Sequence, residues 1–163
     1  ILSKTGDGPF ITSITSGKIV DMGIKDANNM GAAMAPAAVD TLYQHFVDTG
    51  RQPDYYDLIL TGDLGFIGKQ ITTELMLTRG YDIKSNYNDC GCLIFDKEKQ
   101  DVHSGGSGCG CIATTFSGYI YNLLQKQELK KVLLCATGAL MSTTTAQQNE
   151  SILGIAHAVS IEI

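Results

Sequence analysis

His103-Ser104-Gly105-Gly106-Ser107-Gly108-Cys109-Gly110-Cys111 opens directly into an apolar-periodic run from Ile112 to Tyr119. Small residues ahead of a helical pattern make a tight turn that feeds a helix start, where unpaired N–H groups and the positive dipole end favour an anion. Glycine lets the backbone approach a ligand closely. The turn lacks the Lys-Ser/Thr ending of a P-loop, and no strand runs straight into it, so neither familiar phosphate fingerprint applies. Gly105, Gly106 and Ser107 are thus candidate ligand-binding residues at a helix start. Gly62-Asp63 and Thr137-Gly138 each follow a short apolar run. Ligands in open α/β sheets bind at such strand ends, which adds Asp63 and Gly138 to the candidates.

Five cysteines stand at 90, 92, 109, 111 and 135. The Cys-x-Cys pairs invite a zinc reading, but two thiolates one residue apart rarely face one metal, and structural sites use wider spacings. An odd count without an export signal argues for reduced thiols. We therefore expect no metal site, no cofactor and no disulfide. Read from the residues alone, Asp89 caps a turn and Cys90 packs as a small hydrophobe. Of the three histidines, His45 falls on a long helix, where a surface or interface role is expected, and His157 begins the last strand. Only His103 stands beside the glycine turn, where it could touch a ligand.

These residues need a scaffold, and the hydrophobic pattern supplies one. Phe10 to Ile14 and Lys18 to Asp21 flank Thr15-Ser16-Gly17 and read as a hairpin. Asn28-Asn29 caps a helix that runs from Met30 to about Thr49 and stops at Gly50, with Pro36 inside the pattern. Residues 57–61 form a buried strand. Residues 65–79 form a helix with Ile67, Ile71, Leu75 and Met76 on one face. Residues 81–100 are irregular, with a strand at Leu93-Ile94-Phe95. The glycine turn leads into a helix to about Gln127, and strands follow at 131–137 and 157–163, joined by a polar loop. This alternation predicts a single α/β domain over residues 1–163, with a mixed, roughly five-stranded sheet and helices on both faces.

The 163 residues carry 44% hydrophobic and 18% charged side chains and a net charge of -5. That composition describes a well-packed globule and excludes the clustered basic face that nucleic acid needs. The basic stretch at 126–131 reads as a helix end with its turn. No apolar run reaches the roughly 18 residues of a bilayer span. No signal peptide is evident, and a start on Ile1 leads us to expect a piece of a longer chain.

The order strand–Gly62-Asp63-Leu64-Gly65–helix, glycine turn–helix, and strand–Ala136-Thr137-Gly138-Ala139 resembles the C-terminal half of thiolase-like chains. More narrowly, Thr61-Gly62-Asp63-Leu64-Gly65, Asn88-Asp89-Cys90-Gly91-Cys92 and Ser104 to Cys111 are similar to the stage V sporulation protein AD family of spore-forming bacteria. The similarity extends over nearly the whole chain. In condensing enzymes of the superfamily these loops carry Asn or His, whereas this chain has Gly62-Asp63 and Gly106-Ser107-Gly108. Glycine supplies no general base, and an Asp would repel a developing oxyanion.

The resemblance therefore implies a non-catalytic protein that binds dipicolinic acid (pyridine-2,6-dicarboxylate), with or without calcium, for its uptake into the developing spore. It implies a pocket containing the Asp89-Cys90 pair and an N-terminal thiolase-like half that completes it. It also implies work within a membrane-associated assembly of other sporulation subunits, at the cytoplasmic face of the spore inner membrane, as a monomer or a homodimer. The alternative is a condensing or acyl-transfer enzyme whose three loops frame a thioester.

Overall fold

A computed structural model describes residues 2–103, 105 and 108–163. Its centre is one five-stranded mixed sheet built from β1 (Phe10–Ser16), β2 (Leu58–Thr61), β3 (Tyr87–Asp89), β4 (Lys131–Leu140) and β5 (Leu153–Glu162). The spatial order is β1-β5-β4-β2-β3. β4, β2 and β3 run parallel, while β5 pairs antiparallel with β4 and with β1. The expected fold, a mixed five-stranded α/β sheet with helices on both faces, is the one observed.

Period-two alternation sorts the sheet residues between two cores. Ile59, Leu133, Cys135, Ala156 and Ala158 face α1 (Met30–Thr49) and α2 (Gly65–Thr78). Leu60, Val132 and Ile161 face the opposite side, against Ile120 and Leu124. Those two belong to a helical run made of α4 (Cys111–Thr115), one π turn (Phe116–Ile120) and α5 (Tyr121–Gln125). A short α3 (Cys90–Ile94), an exposed α6 (Thr143–Gln147) and a 3-10 turn at Pro53–Tyr55 complete the described elements.

α1 starts where Asn29 accepts a hydrogen bond from Ala32 N and ends on Gly50 in the left-handed conformation. Pro36 lies within it, near its start. Ala35, Ala37 and Ala38 are fully buried because the helix is enclosed by the sheet on one side and α2 on the other. Gly31 and Gly68 make the second contact possible. A Cβ on Gly31 would lie 1.9 Å from the Leu64 carbonyl oxygen, and one on Gly68 would lie 2.9 Å from that of Gly31.

Several expectations are corrected. There is no hairpin at 10–21: β1 pairs with β5, and only Val20 returns to the sheet region, in a bridge to Gly154. Gly17 looks like a turn glycine but serves close approach, since its Cβ would meet the Ala156 oxygen at 1.9 Å. The strand at 93–95 is helical through Ile94, because Asp89 caps α3. On α2 the buried face is Gly65, Gly68, Thr72 and Met76, whereas Ile67 and Leu75 are exposed. Finally, the polar loop after β4 holds α6, started by a reciprocal Ser142–Thr145 capping box.

Candidate functional site

A cavity of about 540 Å³ opens at the carboxyl ends of β2 and β4. Gly62, Asp63 and Leu64 form one wall, and Thr137, Gly138 and Ala139 form the next. The start of α1 adds Asn28, Met30, Gly31 and Met34, and the chain around the glycine turn adds Val102, His103, Gly108, Cys109 and Ile112. The first two walls are tied together. Asp63 N donates to Thr137 Oγ1 at 3.3 Å, and a Cβ on Gly62 would meet Thr137 Oγ1 at 2.8 Å. The Asp63 carboxylate in turn accepts a hydrogen bond from Gly108 N, which holds the glycine turn against the β2 loop.

The expected site residues divide into three groups. Asp63 and Gly138 line the cavity, as does His103. Gly106 and Ser107 lie outside the described residues. Asp89, Cys90 and Gly105 sit behind the wall. Asp89 is completely enclosed, and its Oδ1 accepts from Thr61 Oγ1 at 2.7 Å and Leu64 N at 2.9 Å. Its Oδ2 accepts from Gly65 N at 2.9 Å and Gly91 N at 3.0 Å. Burial lifts this carboxyl above the ordinary range, and its donors pull the other way. Cys90 packs with Leu60, Cys111 and Ile120 as a small hydrophobe. Gly105, at positive φ, packs beside the Phe66 ring, and its carbonyl oxygen lies against Gly91. The Asp89 and glycine-turn segments thus converge as expected, through Gly91 and Asp63 rather than at the cavity surface.

The cavity residues from α1 had no sequence signal beyond the Asn28-Asn29 cap, because α1 reaches the strand ends only through long-range packing against the Leu64 wall. Thr137 was within reach of sequence reasoning, adjacent to the predicted Gly138.

The thiols and histidines bear on what chemistry is available. Burial pushes the Cys90, Cys92 and Cys135 thiols up to about 12, far from thiolate at neutral pH. His45 is wholly buried rather than at a surface or interface: Nδ1 pairs with Thr15 Oγ1 at 2.8 Å and Nε2 with Tyr56 Oη at 2.6 Å. His157 Nδ1 accepts from Gly17 N, and exposed His103 lies 3.7 Å from Asp101. The cysteines differ in exposure: Cys109 is exposed, Cys92 half-buried, and Cys90, Cys111 and Cys135 buried. Iodoacetamide on the native protein should therefore modify Cys109 well before Cys90, Cys111 and Cys135, which should label only on unfolding. Mass spectrometry of the digested product checks this, and early labelling of Cys135 would contradict the packing described.

The cavity can enclose a flat ligand against apolar Met30, Met34, Val102 and Ile112 and offer it polar groups at Asn28, Asp63, His103 and Thr137. No Lys or Arg is among the described lining residues. No helix among the described residues is long and apolar enough to cross a membrane.

The family model of stage V sporulation protein AD (SpoVAD) matches residues 1–162. Stage V sporulation protein AD of Bacillus subtilis (strain 168) is 46% identical over 162 residues, which cover 99% of this chain and 48% of that protein. The chain thus spans about half the length of this curated relative. Among solved structures, it is similar to 3-oxoacyl-[acyl-carrier-protein] synthase III from Aquifex aeolicus VF5, with a TM-score of 0.42 and 10% identity over 77% of this chain and 37% of that one. It is also similar to the tetronic acid condensing enzyme AbyA1, with a TM-score of 0.46 and 12% identity over 94% of this chain and 50% of that one. For the ketosynthase ApeO with its chain length factor ApeC from Xenorhabdus doucetiae, the TM-score is 0.40 and the identity 10%, over 94% of this chain and 79% of that one. The match to the family model over all but one residue makes this chain a member of the stage V sporulation protein AD family.

Proposed function

We propose that this chain forms one half of a non-catalytic binding site for dipicolinic acid. A preceding thiolase-like half supplies the rest, and the protein serves uptake of the compound into the developing spore. The observation that carries this reading is the cavity at the ends of β2 and β4, built by the same loops that carry the family resemblance. Its apolar walls suit a flat aromatic ring, and its few polar groups can orient the two carboxylates. Asp63 and the absence of Lys or Arg from the described lining residues disfavour a bare dianion, so a calcium-chelated ligand or cationic groups from the other half would balance the charge.

A non-catalytic role is supported by the same geometry. A condensing enzyme needs an activated nucleophile with a base beside it. Here the buried thiols are held protonated, His45 is committed to the core, and Gly62-Asp63 offers no neutral donor side chain toward an oxyanion. We place the protein in a membrane-associated assembly with other sporulation subunits, at the cytoplasmic face of the spore inner membrane, on the strength of family membership.

Calorimetric titration of the full-length protein with dipicolinate, with and without calcium, tests the reading, and acyl-CoA turnover assays test the enzymatic alternative. Gly138→Leu gives a sharper check. A Cβ at Gly138 meets only Ile155 Cγ2, at an ordinary 3.7 Å, so the strand accommodates the substitution while the added side chain narrows the cavity. Dipicolinate affinity should fall by roughly tenfold or more, with little change in the unfolding midpoint. Wild-type affinity in this variant would place the ligand elsewhere.

A further inference from the structure

We propose that Asp89 is a positioning residue of this cavity: it never meets the ligand, and instead holds the β2 loop, and through Asp63 the glycine turn, in binding geometry. The inference rests on the dipicolinate reading of the cavity. Its basis is the saturation of the Asp89 carboxylate by donors from three segments. Thr61 closes β2, Leu64 and Gly65 open α2, and Gly91 lies in the first turn of α3. Asp63 stands between Thr61 and Leu64, so the residues on both sides of it are pinned to the same carboxylate.

From there the chain of contacts continues outward. The Asp63 carboxylate accepts from Gly108 N, and its main-chain N–H donates to Thr137 Oγ1. A Cβ on Gly91 would meet Asp63 Oδ1 at 2.9 Å, Asp89 Oδ2 at 3.1 Å and the Gly105 oxygen at 2.5 Å, which shows how closely these segments are packed. The start of α2, which could have served as an anion site, is thereby occupied by the protein's own carboxylate. A ligand carboxylate therefore cannot use Leu64 N or Gly65 N, and it must find its donors elsewhere in the cavity.

The test is Asp89→Asn in the full-length protein, which keeps the shape but turns one carboxylate oxygen into a donor facing other donors. Two measurements are made: dipicolinate affinity with and without calcium, and amide hydrogen exchange at Leu64, Gly91 and Gly108. Positioning predicts that affinity falls at least about tenfold, by the same factor in both conditions, and that Gly108 exchange quickens at least about tenfold along with Leu64 and Gly91. A loss that differs between the calcium and calcium-free titrations would mean that Asp89 touches ligand or cation, which overturns the proposal. Faster exchange at Leu64 and Gly91 with Gly108 and affinity unchanged would make Asp89 a local cap only, and overturns it too.

If wild-type protein fails to bind dipicolinate, the ligand assignment falls, while Gly108 exchange still decides whether Asp89 controls the turn. Should Asp89→Asn not fold, Thr61→Val removes one of the four donors with little change in shape. It should quicken Gly108 exchange at least about threefold, and an unchanged rate would overturn the proposal.

Discussion

Gly31→Ala should lower the unfolding free energy by about 3 kcal/mol, the upper part of the range for overpacking a tight contact. The added methyl has nowhere to go: it would sit 1.9 Å from the Leu64 carbonyl oxygen and 2.9 Å from the Leu64 carbonyl carbon. These are backbone atoms, so no side-chain rotation relieves the clash, and α1 must move away from the β2 loop. Because Gly31 and Leu64 both line the cavity, dipicolinate binding should weaken in the same variant. Urea denaturation against a Gly118→Ala control measures the effect. A Cβ on Gly118 meets nothing within 4 Å, so that variant should be neutral or stabilised by about 0.5 kcal/mol. Equal midpoints for the two variants would show that the α1–α2 approach is looser than described.

Acidification should cost nearly as much through His45. Its pKa is lowered from 6.5 to about 4, first by burial and second by the nearby positive charge of Arg51, with Asp48 opposing. The folded state keeps this imidazole neutral, whereas the unfolded chain takes up a proton below pH 6.5. Stability from this group is therefore complete above pH 6.5 and lost progressively as pH falls toward 4, with about 2–3 kcal/mol gone by pH 4.5. The carboxylates with lowered pKa, Asp21, Asp96 and Glu162, lose their contributions at lower pH, whereas buried Asp89, with its pKa raised, works the other way. Wild type and a His45 variant share both contributions, so the difference between their slopes belongs to His45. Urea midpoints across that window should slope in wild type and flatten in His45→Leu. The variant is itself destabilised, since Thr15 and Tyr56 lose their partner, so the slope rather than the absolute midpoint is the readout. Parallel slopes would mean that His45 is protonated in the fold.

Most of the scaffold was legible because its signals are local. The cap at Asn29, the stop at Gly50 and the apolar runs of β2 and β4 each announce themselves within a few residues. What escaped depends on neighbours distant in sequence. Gly17 has the look of a hairpin turn, yet it is glycine because β5 passes within contact of it. The pair Gly31 and Gly68 turned the buried face of α2 away from Ile67 and Leu75, which a hydrophobicity pattern alone places inside. The binding region was legible at its strand ends, Asp63 and Gly138, since topology fixes where loops gather. The depth of Asp89 was not, because a carboxylate in a turn and one sealed behind a cavity wall have the same sequence. His45 escaped for a related reason: its partners Thr15 and Tyr56 come from separate elements, and nothing on α1 hints at them.

The pairing of β1 with β5 sets the order in which this fold can assemble. Thr12 and Ser160 share a hydrogen bond although 148 positions separate them, and β5 lies between β1 and the rest of the sheet. During synthesis β1 emerges well before β5 and must wait, its apolar Ile11 and Ile14 still exposed even in the finished structure, until the residues between the two strands and β5 itself have left the ribosome. Loop closure over that span is entropically demanding and slow, and an unpaired strand is open to wrong partners in the interval. Loss of β5 would leave β1 with no neighbour in the sheet.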